Sequence, residues 1–421
     1  MRAVRSTLAA FLAAAIALPA GSAAQERIGV TTERKKRPRH KVGPIYVNPQ
    51  IRVASGIDTN VFQSFAEPTR DAVTILSPHV DGVLPVGRRL YITGGGGMDV
   101  FYYRRQDDER SVDFFGEGRA ELTLGPVVLY GGGGGGQFTQ RFSIDVDDRI
   151  KRQEKRGYGG LTWNVTRRLS LTGQGMGEVF TFAPGEFRLG GDIKEALDRN
   201  TLTAAGQLRF ALTRRTTLVG SAERIEDRFF SQPPSFPRER ESQRYMGGFE
   251  FSGRGLLLGR LLVGRRIYAG TVAEGTPPYK GPVVSADVAL PVGSRVRFHA
   301  LADRDVVYAS SLVEVQTLRY RNAFIYERAL GEMIVDLPFA LIAAVNAGFE
   351  SAEYLLPLPY PDQFHLAMRV DHRWTLGGAL YRRVGDNVRI GGNVLWARRV
   401  SNLQTFSYQG VRYGFVAEYR P

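Results

Sequence analysis

Residues 112–140 read VDFFGEGRAELTLGPVVLYGGGGGGQFTQ. In the first half Val112, Phe114, Gly116, Gly118, Ala120, Leu122 and Leu124 alternate with Asp113, Phe115, Glu117, Arg119, Glu121 and Thr123. A period of two with charge on one side and apolar or small groups on the other describes a strand between lipid and water. Gly125-Pro126 marks a turn, so the second half returns as a neighbouring strand with six glycines inside it. A flexible linker would separate domains, yet strands flank the run on both sides. A phosphate loop would end in Gly-Lys-Ser/Thr, which is absent. A closed barrel tolerates glycine because neighbouring strands supply the backbone hydrogen bonds. The stretch reads as one hairpin of a membrane barrel.

The pattern recurs along the chain. Leu202, Ala204, Gly206, Leu208, Phe210 and Leu212 form one face of 202–212. Val296, Phe298, Ala300 and Ala302 alternate with Arg295, Arg297, His299 and Asp303, and Phe364 to Val370 with His365, Arg369, Asp371 and Arg373. Val411, Tyr413, Phe415, Ala417 and Tyr419 alternate with Arg412, Gly414, Glu418 and Arg420. Short turns are expected near 85–87, 125–126, 166–168, 213–215, 253–255, 291–293, 330–331 and 384–386. Longer loops are expected at 58–70, 105–110, 144–154, 182–198, 230–241, 272–281, 309–312, 354–362 and 400–406. This is an all-β chain forming a transmembrane antiparallel up-and-down β-barrel of about eighteen strands, or sixteen if the less regular stretches 65–84 and 311–328 are not strands. Aromatics at the long-loop ends (Phe101-Tyr102-Tyr103, Phe138, Phe180, Phe182, Phe229, Phe230, Tyr268, Tyr308 and Tyr354) are expected to form an outer girdle at the lipid headgroups. Tyr419 reads as the aromatic insertion signal, followed by Arg420-Pro421.

Glycines crowd neighbouring strands. Gly95 and Gly97, the run Gly131, Gly132, Gly133, Gly134, Gly135 and Gly136, and then Gly173, Gly175 and Gly177 are expected to form one side-chain-poor panel. It would ease strand bending or offer a smooth wall to a loop, a partner or a sliding polymer.

Residues 1–24 have the charged start, short apolar core and Ser22-Ala23-Ala24 site of a secretory signal peptide. Residues 25–44, with ERKKRPRHK at 33–41, read as a basic, disordered periplasmic tail, and residues 45–421 as the barrel. The longest other apolar run, Phe339 to Val345, falls short of the ~20 residues a membrane helix needs. The chain has no cysteine, which removes disulfides and thiolate metal sites. Net charge is +14, or +12 without Arg2 and Arg5. Export argues against nucleic acid as the polyanion. Outer-membrane lipid, lipopolysaccharide, an acidic polysaccharide and periplasmic export components are the partners such a chain meets, and the outer membrane is the expected location.

For chemistry, the chain lacks a Gly-x-Ser-x-Gly elbow and a His-Glu-x-x-His motif, so a non-enzymatic protein without metal, cofactor or catalytic residues is expected. Asp145 and Asp147-Asp148, like Asp107-Asp108-Glu109, read as solvated surface acid rather than a cation site. The inward alternation set supplies pore-lining candidates: Arg52, Arg119, Arg209, Arg244, Arg260, Arg266, Arg295, Arg297, Arg369, Arg373, Arg389 and Arg412. Glu117, Glu121, Glu178, Glu250, Asp287, Asp303, Asp371 and Glu418 share that face. Rings of arginine favour anions; cross-strand pairing would instead stiffen the wall. In loop 182–198, residues 193–197 can form a helical turn, making this loop the candidate constriction or lid.

The segment ASGIDTNVF at 54–62, with Gly56, Asp58, Asn60 and Val61, resembles the first strand of an outer-membrane β-barrel porin family often associated with exopolysaccharide loci. Ser77-Pro78 and Glu109-Arg110-Ser111 extend the resemblance over about residues 45–421. It implies a porin-like channel exporting an anionic exopolysaccharide. The alternatives are a closed barrel whose tail docks an envelope partner and an outer-membrane hydrolase.

Overall fold

Each alternating run becomes a strand of a closed antiparallel ladder. The computed structural model describes residues 40–141, 143–145, 149–184, 193–230, 239–252, 257–268, 278–315, 318–359 and 366–421. The signal segment, the tail before His40, Asp147-Asp148, the 253–255 turn and His365 lie outside them. The barrel begins with β1 (Ile45–Asp58), β2 (Asp71–Val86), β3 (Leu90–Tyr103), β4 (Ser111–Leu124), β5 (Val127–Gln140) and β6 (Ile150–Asn164). It continues through β7 (Leu169–Phe182), β8 (Arg199–Ala211), β9 (Thr216–Phe229), β10 (Glu239–Phe251), β11 (Leu258–Tyr268) and β12 (Tyr279–Val292). The last third is β13 (Val296–Val315), β14 (Leu318–Asp336), β15 (Leu341–Tyr354), β16 (Val370–Val384), β17 (Val388–Ser401) and β18 (Tyr408–Tyr419).

Every strand pairs with the next, and β18 returns to β1 from Ile51↔Tyr419 to Asp58↔Arg412. The barrel has eighteen strands, and closure leaves no unpaired edge. The smaller count fails because 71–86 and 318–336 are continuous strands in spite of their uneven alternation. His40–Val42 pairs with Ile45–Val47 across a turn at Gly43, so the end of the basic tail is a short strand rather than a free tether.

Short connections close one end. Gly87 and Gly125 take φ of 64° and 61° there, values that a residue with a Cβ adopts reluctantly. By the rule that short turns face the periplasm, this is the periplasmic rim. One expected turn is displaced: Leu330-Gly331 lies inside β14, and the reversal occurs at 337–340. Phe339 and Ala340 have φ of 60° and 59°, so this turn carries no glycine to announce it. The expected loop at 309–312 is also strand. Pairing of β12 with β13 stops at Val284↔Arg304, whereas β13 and β14 stay paired to Val315↔Leu318, with a register shift between Tyr308 and Leu312. Residues 305–315 and 318–323 pair in the ladder only with each other and so lie beyond the closed wall.

Residues directly opposite in a ladder point to the same face. Starting from Arg52↔Glu418, the register carries one face around the barrel through Arg119↔Gly132, Glu223↔Arg244, Glu250↔Arg260 and Arg373↔Arg399. The opposite face exposes Leu129, Leu161, Trp163, Leu208, Phe249, Phe298, Leu376 and Phe415. An outward apolar band around a polar interior places the barrel in a membrane.

A shaft closed at its outer mouth

Of the twelve candidate arginines, Arg52, Arg119, Arg209, Arg244, Arg260, Arg266, Arg297, Arg369, Arg373, Arg389 and Arg412 share the inward register. Arg295 does not line the lumen. It is exposed in the turn between β12 and β13, because Val292↔Val296 is the last pair there. Most of the inward set is neutralised. Arg209 meets Glu250 at 2.8 Å, Arg297 meets Asp336 at 3.3 Å, and Arg412 Nε donates to Asp58 at 2.6 Å. Arg119 lies 3.7 Å from Glu121 and over the Tyr130 ring. The lumen is therefore a wall of cross-strand ion pairs rather than rings of free arginine.

Depth sorts these pairs. Near the outer end, the Arg369 and Asp371 side chains are only 2% and 0% exposed. Arg244 bonds to Glu223 and Asp305, Arg266 to Asp305, and Arg373 pairs with Glu350, all buried or nearly so. Deeper, Glu117 is 60%, Asp81 48% and Asp287 42% exposed, although all three face inward. Inward charges are thus exposed in the lower shaft and buried near the outer mouth.

Two apolar clusters explain the burial. After β7 the expected helical turn forms as α1 (Ile193–Leu197). Its Ile193, Ala196 and Leu197 pack with Phe182, Phe229, Tyr268, Tyr279, Val306 and Tyr308, residues from strands spread across the mouth. The β13–β14 hairpin leans over the same space: Tyr308 donates to Asp227 at 2.9 Å and stands edge-on to Phe229 at 5.3 Å. Its other side joins Ile144, Phe324, Tyr326, Ala352, Tyr354, Leu403 and Phe406 in the second cluster. Arg369 stacks on Phe406 at 3.5 Å and holds both Asp371 and Asp145. Arg399 donates to the Ile144 carbonyl at 2.6 Å, tying the loop after β5 to the far wall. Nearby, Arg141 donates to the Val61 carbonyl at 2.6 Å, and burial pulls its guanidinium pKa below the ordinary value.

Three expectations change here. Phe101, Tyr103, Phe182, Phe229, Tyr268, Tyr308 and Tyr354 sit at the height of an outer girdle but are buried inside the mouth; Tyr102 and Phe230 are the exposed members. Except for Tyr308, which follows the point where β13 leaves the wall, their parity in the strands matches that of the inward charges, which was the signal available. Asp145 is not solvated acid, since it is buried and accepts from Tyr354 and Arg369. Glu109 is only 19% exposed and pairs with Arg149, whereas Asp107, 72% exposed beside Arg110, is the surface acid expected.

The glycines divide by face. Gly95, Gly97, Gly132, Gly134 and Gly136 look into the shaft, and Gly131, Gly133, Gly135, Gly173, Gly175 and Gly177 look outward. The expected single panel is two panels on one wall. Inside, Tyr158 lies opposite Gly132 and Tyr130 opposite Gly160, each ring covering its partner glycine, as in aromatic rescue. Tyr130 Oη then donates to Gln174 at 2.9 Å.

His299 and Asp287 meet at 2.8 Å, and His79 and Asp81 at 3.1 Å. Each imidazole engages a carboxylate through Nε2, the nitrogen closest to the acid. Among the described residues no cluster of histidine and carboxylate could hold a metal ion.

The closed ladder, outward apolar band and charged interior define an integral outer-membrane β-barrel. No family model and no curated protein matches the chain. Among solved structures it is similar to Pseudomonas aeruginosa OccK9 (OpdG), at 11% identity over 89% of this chain and 98% of that one, with a TM-score of 0.48. Acinetobacter baumannii OccAB3 shows 9% identity over 89% and 99%, TM-score 0.45. The Pseudomonas aeruginosa siderophore receptor PirA shows 10% identity over 92% and 81%, TM-score 0.45. Likenesses this distant carry no information on solute or partner.

Proposed function

We propose that this barrel is a non-enzymatic, gated outer-membrane channel: a water-filled shaft held shut at its outer mouth by α1 and the β13–β14 hairpin. The observation that carries the reading is the exposure gradient of inward charges, from Arg369 and Asp371 at 2% and 0% to Glu117 at 60%. Eighteen strands enclose room for an aqueous channel, and the closing elements are loops and a hairpin tip rather than the wall itself. The finer proposal, export of an anionic exopolysaccharide, is supported by the resemblance at residues 54–62. The cross-strand pairing of the shaft arginines gives it no added support.

The buried mouth also favours a second reading, a closed barrel that docks an envelope partner through its tail. Solute leak from vesicles separates the two. Replacing residues 306–324 by a tight turn should raise the rate of sugar uptake into proteoliposomes, and a uronic-acid polymer should then slow it from the periplasmic side. A variant as impermeable as the parent would remove the channel reading, and uptake indifferent to the polymer would remove the polysaccharide.

A further inference from the structure

The periplasmic rim treats its arginines unlike the shaft. Arg88-Arg89 follow β2, Arg167-Arg168 follow β6 and Arg214-Arg215 follow β8, and all six are exposed. The last two turns are copies of one design, Thr-Arg-Arg. Thr166 Oγ1 accepts from the Arg168 and Leu169 amides at 3.1 and 2.9 Å, and Thr213 Oγ1 from the Arg215 and Thr216 amides at 3.1 and 3.0 Å. Each threonine fixes a tight reversal with two arginines in it. Among the described residues none of the six has an ion-pair partner, whereas Arg209 and Arg297 in the shaft are paired.

Depth decides what such a rim meets. Val86, Val165 and Leu212 are exposed on the outward face and end the apolar band immediately before these three turns. A strand rises about 3.3 Å per residue, so each arginine backbone lies within roughly 10 Å of the last lipid-facing side chain. The headgroup layer of one leaflet is on the order of 5–7 Å deep, and a guanidinium stem reaches across it. Turns this short put the charges among headgroups and do not raise them clear for a soluble polymer. We propose that these arginines form a binding rim for anionic phospholipid in the inner leaflet. Guanidinium N–H groups would donate to phosphodiester oxygens and fix the depth of this half of the barrel.

Trp163, outward and exposed two residues before Val165, is a built-in reporter. The chain has three tryptophans, so Trp374→Phe with Trp396→Phe leaves it alone. The full chain, refolded in phosphatidylcholine vesicles, is titrated with brominated phosphatidylglycerol or brominated phosphatidylcholine, and quenching of Trp163 gives their relative binding. At low salt the anionic lipid should be favoured about fivefold for each arginine in contact, on the scale of basic residues at an anionic surface, and high salt should shrink the preference. Arg167→Gln, Arg168→Gln, Arg214→Gln and Arg215→Gln together should bring the ratio near one while heat-modifiable folding and quenching by the neutral lipid persist. Equal quenching by both lipids in the parent, or a preference that survives the four substitutions, overturns the proposal. So does rim-dependent capture of polygalacturonate by the barrel in zwitterionic nanodiscs without any lipid preference, which would assign the rim to a soluble polyanion.

Discussion

A methyl group added at Gly132 or Gly160 should unsettle the barrel, whereas the same methyl at Gly157 or Gly175 should not. A Cβ at Gly132 would lie 2.5 Å from the Gly118 carbonyl oxygen and 2.7 Å from Tyr158 Oη. At Gly160 it would lie 2.5 Å from the Gly173 carbonyl oxygen and 2.6 Å from Tyr130 Oη. Each position meets a neighbouring strand's backbone as well as a ring, so the rotation of a side chain cannot relieve the contact. Overpacking of this kind costs about 1–3 kcal/mol. Gly157 and Gly175 face outward with nothing within 4 Å, so alanine there should stabilise by about 0.5–1 kcal/mol through the lost flexibility of glycine in a strand. The two pairs of variants should therefore separate by roughly 1.5–4 kcal/mol. Urea unfolding in phospholipid vesicles, followed by tryptophan fluorescence, reads the difference, and heat-modifiability on gels gives a second ranking. Removing the ring, as in Gly132→Ala with Tyr158→Ala, should recover part of the loss and leave the part due to the Gly118 carbonyl. Four alanine variants of equal stability would refute the close contacts assigned to Gly132 and Gly160.

The mouth makes further expectations. Arg369→Met leaves Asp371 and Asp145 buried without their shared cation; the loss, about 3–5 kcal/mol for a broken buried pair, should appear as protease nicking of the 141–149 loop with the barrel still folded. Leu197→Ala removes a nearly buried side chain from the α1 cluster. It should weaken docking of that loop by about 2–5 kcal/mol, raising solute leak while the urea midpoint of the strands stays put. Tyr354→Phe deletes the donor to Asp145 and should loosen the same loop by about 1–3 kcal/mol, less than Arg369→Met in the same protease assay.

The wall was legible because alternation is a local signal: Asp113 to Thr123 and Arg412 to Arg420 declare their faces within a single strand. Turns were legible where a glycine or a Thr-Arg-Arg reversal marks them, and the 337–340 turn escaped because Phe339 and Ala340 adopt the left-handed conformation without a marker. The mouth was hardly legible at all. Its contacts join residues far apart in the chain, Asp145 with Tyr354 and Ile144 with Arg399, and no local period encodes which loops fold inward. Aromatic residues at the outer strand ends were read as a lipid girdle because enrichment gives height and not direction. The parity of Tyr308 was unreadable from either side, since β13 leaves the wall after Arg304 and its register then shifts. Arg295 lies in a turn and not on the wall, and the neutralisation of the other inward arginines depends on acids of neighbouring strands, such as Glu250 beside Arg209.

Single-channel conductance of the refolded chain in planar bilayers, compared with the variant whose residues 306–324 are replaced by a tight turn, tests the closed shaft most directly. The account predicts a parent that is silent or opens briefly and a variant with large, steady steps. A parent already open with steps of the variant's size would contradict it, because the hairpin would then close nothing.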